Sequence, residues 1–454
     1  MKKYSAVVAI VLAFMAIGCT QNGTESVNDL NITLLRKHGK KLNSLCYHPD
    51  SIKPREGVTE TFESLRYVDT LNILCYYMDY CAEVDWDQLI GDAKDKDKQY
   101  TLYGGDSAAA KSDKILYVNP PHSKDKKNNT SPNSSACSGF ICHNPQNELL
   151  FCRNYDGDKN PLVVVFNKAV KPGEYKSVMM TELPMAQMFS GLEEEYGYDS
   201  CLLEKDKNLD VLLRQPSAIM DGMNERGLCI AAYQLPNFRT DSTDAKDRKD
   251  DKTLRPMGVC QSTGKPQITT TFLHRMILSK CATVQDVVDL FRSHDYITTM
   301  SEINIHWCVA DSTGAWATLE FWKDKNGKDS LYVMNEKYRQ WASYSSVNKI
   351  PYEYRCIENY YCNEEAARTY NYDYWQHGYS TKQRVLNMMR HYSPVMTEGD
   401  ALRCLQYGNF GIETIDEVTD WSCVYNPKDR TILFNMRDDL SIVYYIDLEK
   451  DLKK

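Results

Sequence analysis

The run "HSKDKKNNTSPNSSA", His122 to Ala136, holds no large apolar residue and divides the chain into two textures. A segment of that composition cannot bury enough surface to order itself, so it should be exposed and open to cleavage. Beyond it the sequence turns to short β-rich stretches: "VVVFN", "KSVMMTEL", "CIAAYQLP", "INIHWCVAD", "WATLEFW", "DSLYVMN", "WSCVYN" and "TILFNM", most of them bounded by turn signals. Three pairs read as hairpins, around "HNPQNE", "DSTGA" and "NPKDR", and between them lie helical candidates, "ITTTFLHRMILSK", "TVQDVVDLFRSH" and "TKQRVLNMMRHY". A second charged loop, "RTDSTDAKDRKDDK", Arg239 to Lys252, interrupts the strands. Strands, then helices, then strands again predict an α+β layered fold. Before the polar run, "FESLRYVDTLNILCYYMDYCAEVDWDQLI" places Leu65, Val68, Leu71, Leu74, Tyr77 and Met78 near helical spacing. That periodicity predicts a mostly helical N-terminal extension.

At the chain's start two lysines precede an apolar run from Val7 to Ile17, which Gly18-Cys19 closes. This is the pattern of a secretory signal, and the run is too short to span a membrane. The ending "AIGC" resembles a bacterial lipobox. Cys19 is therefore expected to carry lipid and anchor the protein to a membrane surface of the bacterial cell envelope, with "TQNGTESVND" as tether. An ordinary signal peptide with a chance cysteine is the alternative. The expected units are 1–19 as signal, 20–136 as extension with its linker at 122–136, and 137–454 as the main domain. A net charge of −8 argues against nucleic acid, which calls for a basic stripe. Export permits disulfides, and setting aside Cys19 and one special cysteine leaves fourteen of the sixteen. With no C-x-x-C pair and no His-rich cluster, neither a zinc site nor any other cofactor is expected.

The stretch "SSACSGFICHNPQNELLFCRNYD", Ser134 to Asp156, reads as one hairpin. If Pro145 and Gln146 form its turn, Asn144 faces Asn147 and Cys137 lies across from Asn154, with Arg153 and Asp156 close by. The hairpin then delivers a thiol, a guanidinium and a carboxylate to one strand end. A nearby cation lowers a thiol's pKa and makes the thiolate available as a nucleophile. A buried structural cysteine beside a surface ion pair accounts for the same three residues, and geometry alone leaves both readings open.

A Cys that opens a strand, followed by "LLFCRNYD", resembles the cysteine N-terminal-nucleophile hydrolases of the choloylglycine hydrolase, acid ceramidase and linear amide carbon–nitrogen hydrolase type. Their pattern sets an R-N-x-D group sixteen residues after the Cys, the separation of Arg153 from Cys137. Further segments fall in the family's order. "DGMNERGLCIAAYQLP" resembles its N-E-x-G-L strand segment, "IHWCVADSTGAWATLEF" its central hairpin, "STKQRVLNMM" the helix with a late site arginine, here Arg384, and "TDWSCVYNPKDRTILFN" its closing hairpin. The resemblance spans Cys137 to about Tyr445 and implies a four-layer αββα sandwich. It also implies cleavage between Ala136 and Cys137, which frees an α-amine as general base. Cys137 would attack a small-molecule amide, with bile-salt conjugates, penicillin V and N-acyl amide lipids as the substrate classes. The long extension is laid out as in acid ceramidase, which favours lipid-like acyl chains.

Two positions depart from the family pattern. Its oxyanion donor after the "GL" strand is usually Asn, whereas Gln234 stands here. Its second Asn follows "LTN" or "VTN", but this chain has "WASYSSVNKIP", where either Ser343 aligns or Asn348 takes the role. Arg153 and Asp156 would tune the thiol and orient the amine, and Arg384 would support them. The implied chemistry needs no imidazole, so His306 reads as a core or strand histidine, and Asn224 and Glu225 as turn-shaping residues. An acyltransferase passing the thioester to an amine, and a binding lipoprotein on the same fold, are the competing functions. A product assay with and without an amine acceptor distinguishes the acyltransferase from a hydrolase.

Overall fold

The computed structural model describes residues 30, 32–41, 57–70, 73–82, 137–157, 162–168, 171–182, 219–235, 259, 261–297, 305–323, 329–335, 355–359, 362, 387–409, 418–437 and 439–453. Strands are numbered along the chain. One sheet of seven runs, in spatial order, Ile32–Leu34 (β1), Val443–Asp447 (β19), Thr431–Met436 (β18), Val418–Asn426 (β17), Leu149–Gly157 (β6), Ser138–His143 (β5) and Arg355–Glu358 (β16). A sheet of ten runs Asp329–Met334 (β15), Trp316–Lys323 (β14), Ile305–Ala310 (β13), Cys229–Gln234 (β10), Asp221–Asn224 (β9), Ser177–Glu182 (β8), Leu162–Asn167 (β7), Ile73–Tyr80 (β4), Arg66–Thr70 (β3) and Lys40–Lys41 (β2). Gln267–Thr269 (β11) and Asp295–Ile297 (β12) form a short parallel pair. Among the described residues the helices with both ends placed are Leu35–His38 (α1), Val58–Ser64 (α2), Thr270–Lys280 (α3), Val284–Ser293 (α4), Glu398–Gln406 (α5) and Leu448–Asp451 (α6).

The buried residues sort these elements into layers. Phe151, Tyr425 and Phe434 of the first sheet pack with Val164, Met180 and Ala231 of the second, so the two sheets stack face to face. Alternate residues of the ten-stranded sheet, such as Val163, Ile230, Trp307 and Phe321, pack instead on α3 and α4. On the far side Phe140, Leu150 and Val424 meet Leu402 and Leu405 of α5. The order is helix, sheet, sheet, helix, the expected αββα sandwich. Strands covered on both faces are buried along their whole length, as in β7 and β8, and so read in sequence as nearly continuous apolar runs. The helices are amphipathic. In α4 Val284, Val287, Val288 and Phe291 face inward, behind a Thr283–Asp286 capping box.

The eight quoted stretches all contain strands, and the three expected hairpins join β5 to β6, β13 to β14, and β17 to β18. The first two helical candidates are α3 and α4, and residues 387–391 of the third are helical. The extension before Cys137 differs from its expectation. Its described residues are mainly strands: β3 pairs with β4, and β4 runs parallel to β7 inside the large sheet. A run as apolar as "NILCYYMDY" satisfies helical and strand spacing at once. Its aromatic content and burial on both faces decide for strand. β1 adds a further strand beside β19. The extension thus contributes to both sheets rather than standing as a helical module.

Candidate active site

The β5–β6 hairpin turns one residue later than its sequence predicts. The Asn144 and Asn147 amides bond the carbonyls of Glu148 and Asn144, and Asn147 takes a left-handed φ of 63°. That extra loop residue shifts the register, so Ser138 rather than Cys137 lies across from Asn154. The slip matters because side chains alternate faces. Ser138 and Asn154 point to the α5 layer, where Asn154 Nδ2 bonds Leu405 O at 2.9 Å. Cys137 and Tyr155 point between the sheets.

There Arg153 Nη2 lies 3.5 Å from Cys137 Sγ. The guanidinium is wholly buried and held from three sides. Nε sits 3.0 Å from Asp221 Oδ2, Nη1 donates to Met220 O at 2.9 Å, and the rings of Tyr155 and Tyr233 flank it at 5.2 and 5.1 Å. Asp221 in turn accepts from Trp421 Nε1 at 3.2 Å and from the Tyr425 hydroxyl. Burial disfavours the cation, but Asp221, with Cys137 and the two tyrosines, outweighs it and raises the pKa of Arg153. Arg153 is a permanent charge. The close passage of Tyr233 depends on Gly139, where a Cβ would fall 2.5 Å from the Tyr233 hydroxyl and 2.4 Å from Cys152 O.

Cys137 is 3% exposed. Its thiol pKa is raised, because burial outweighs the lowering that Arg153 is expected to exert and does exert. Burial dominates, Arg153 and the Asp156 backbone N–H pull the value down, and the Asp156 charge pushes it up. Asp156 is buried, with its backbone N–H at the thiol and Thr419 Oγ1 donating to its carboxylate at 2.5 Å. A thiol in this state needs a base to take its proton.

Cys137, Arg153 and Asp156 are therefore brought together. Gln234 ends β10, half-buried and one residue past Tyr233, in register with Ile305. Cys19, Ser343, Asn348 and Arg384, the linker 122–136 and the loop from Arg239 to Lys252 lie outside the described residues. Sequence reasoning missed Asp221, the counter-ion of Arg153, although it opens the quoted "DGMNERG". It also missed Asn359, buried one residue beyond the Glu358–Ser138 pair, at the register position facing Cys137 across β5. Asn224 is an anchor. Its Oδ1 accepts from the Arg226 and Leu228 amides, and its Nδ2 donates to Leu278 O and Cys281 O at the end of α3.

The eleven cysteines whose side chains are described are free thiols. No described helix is long and apolar enough to cross a membrane.

Residues 137–345 match the family model of the linear amide C–N hydrolases, choloylglycine hydrolase family. Among solved structures the chain is similar to penicillin V acylase from Agrobacterium tumefaciens, at 17% identity over 69% of this chain and 87% of that one, with a TM-score of 0.41. It is also similar to two variants of the conjugated bile acid hydrolase from Clostridium perfringens. These are 10% and 11% identical over 69% of this chain and 93% of theirs, with TM-scores of 0.42 and 0.41. No curated protein sequence matches.

Proposed function

We propose, for a chain whose residues 137–345 belong to the choloylglycine hydrolase family of linear amide C–N hydrolases, that Cys137 becomes the first residue of the mature catalytic chain and cleaves a small N-acyl amide. The observation that carries this reading is Arg153 Nη2 at 3.5 Å from Cys137 Sγ, with Asp221 and Met220 O holding the guanidinium still. Burial raises the thiol, so a base must act, and an α-amine freed at Cys137 has an unperturbed pKa near ~8 and is tethered to the same residue.

The amine takes the Sγ proton and the thiolate attacks the amide carbonyl. The tetrahedral oxyanion needs donors. Gln234 and Asn348 are the candidates by resemblance, and Asn359 is added by its register position opposite Cys137. Collapse expels the amine, which leaves with the proton held by the α-ammonium. Water, deprotonated by the α-amine, then resolves the thioester. Arg153 and Asp156 orient the nucleophile and Arg384 supports them.

The polar run before Cys137 supports cleavage at Ala136–Cys137, and the strands of the extension within both sheets support its retention as a small subunit. Export and lipidation at Cys19 rest on the N-terminal run. The reading is tested by N-terminal sequencing and by hydrolysis of bile-salt, penicillin V and N-acyl lipid amides. A large fragment starting at Cys137, with activity lost in Cys137→Ala, is expected. An active chain still in one piece from residue 20 to 454 refutes it.

A further inference from the structure

A second polar cluster lies in the interior, built from residues the hydrolytic mechanism does not use. His306 on β13 and Glu320 on β14 are both 0% exposed, and Cys362 is 6% exposed, four residues beyond β16. Glu320 Oε2 is 3.2 Å from His306 Nδ1, Cys362 Sγ is 3.9 Å from the same nitrogen, and the Cys362 amide donates to Glu320 Oε2 at 2.7 Å. One ligand atom from each residue lies within 4.8 Å of the other two.

We propose that these three side chains bind one divalent zinc ion. Three observations lead there. The first is convergence. A catalytic relay uses opposite ring nitrogens of its histidine, one toward the thiol and one toward the carboxylate. Here thiol and carboxylate both approach Nδ1, so the three lone-pair donors share one centre. The second is spacing. Tetrahedral zinc with Zn–N, Zn–O and Zn–S distances of about 2.0–2.3 Å sets neighbouring ligand atoms roughly 3.3–3.6 Å apart. The observed 3.2 and 3.9 Å bracket that range. The third is charge. Zn²⁺ with one carboxylate, one thiolate and one neutral imidazole is electrically neutral. The N, S and O donor set suits a borderline-soft ion of this kind. Binding transfers the Cys362 thiol proton to solvent, so loading weakens as pH falls.

The ion fastens the two sheets to each other. His306 and Glu320 belong to the ten-stranded sheet, whereas Cys362 follows the edge strand that pairs with β5, where Glu358 opposes Ser138. Tyr233 stands edge-on to His306 at 5.8 Å and carries Arg153 on its other side. Metal occupancy therefore steadies the strand that begins at Cys137, with no part in the chemistry.

The full chain, stripped with a chelator, incubated with Zn²⁺ and desalted, should retain about one zinc per molecule by mass spectrometry of the metal. Cys137→Ala should retain it equally, and Cys362→Ser and His306→Ala should each lose most of it. Cobalt loaded into the Cys137→Ala chain should show the near-ultraviolet thiolate charge-transfer band, and Zn²⁺ should raise its melting temperature. A wild-type chain that holds no zinc after desalting overturns the proposal, as does zinc retained undiminished in Cys362→Ser. Should Cys362→Ser fail to fold, the cobalt spectrum of Cys137→Ala decides, and absence of the thiolate band overturns it.

Discussion

Strands β9, β10 and β13 present two unlike faces. Toward the seven-stranded sheet they carry Asp221, Tyr233 and His306, around a permanent cation and a thiol. Toward the helices they carry Asn224, Ile230 and Trp307, which pack or bond to α3 and α4. One alternating backbone serves both, because a period of two sends neighbours to opposite sides. The inner face spends its polar groups holding a charge in place, and the outer face spends them tying a helix to a sheet. Lesions around Arg153 on the inner face should therefore remove activity, and those on the outer face should remove stability alone.

The largest effect should come from Cys137→Ala. Hydrolysis should fall on the order of 10⁵-fold or more, the scale set by loss of a hydrolase nucleophile. The unfolding transition should barely move, because a small buried side chain gives way to a smaller one. Activity within tenfold of wild type would erase the division between the faces.

Next is Asp221→Ala. Both members of the Arg153–Asp221 pair are 0% exposed, so the substitution strands a buried guanidinium and should cost about 3–5 kcal/mol in urea unfolding, with activity lost as Arg153 loses its anchor. This inner-face lesion should strike both properties. A variant of unchanged stability would mean that Arg153 does not depend on Asp221.

Asn224→Ala tests the outer face. It removes two donors to the last carbonyls of α3 and the acceptor for two turn amides, and should cost about 2–3 kcal/mol. Activity per folded molecule should hold. A specific loss of turnover with stability intact would place Asn224 with the chemistry instead.

The two faces were unequally legible in the sequence. The Cys137–Arg153 separation lies within one hairpin, so a count along the chain found it. Its register did not follow, because the left-handed Asn147 adds a residue that composition does not announce. Asp221 stands sixty-eight positions beyond Arg153 and meets it only once the sheets stack, a contact that periodicity cannot predict. The same holds for His306, Glu320 and Cys362, which carry no metal-site spacing along the chain. Strand β4 reads as a helix for a different reason. A strand buried on both faces loses the alternation that distinguishes it from a helix.

The mildest test uses acid, and it turns on a histidine packed against β13. On the outer face His274 is fixed in one neutral tautomer. Its Nε2 accepts from Trp307 Nε1 at 2.9 Å, so its Nδ1 proton donates to Ile219 O. Burial holds its pKa down at about 4, against about 6.5 in an unfolded chain. The folded state then binds fewer protons than the unfolded state between those values, so stability falls as pH drops through that window and levels off below it. From pH 7 to pH 5 this amounts to about 2 kcal/mol. Asp221 and Glu398, whose pKa values burial raises, act in the opposite sense, while Asp286 and Asp295, lowered by hydrogen bonds, act in the same one. The difference between wild type and His274→Gln isolates the histidine from those carboxylates. Urea unfolding of both at pH 7 and pH 5 should show the wild type losing about 2 kcal/mol more than the variant. Equal losses would mean that His274 takes up its proton in the fold, and that the helix-facing side of the sheet is not sealed as its packing implies.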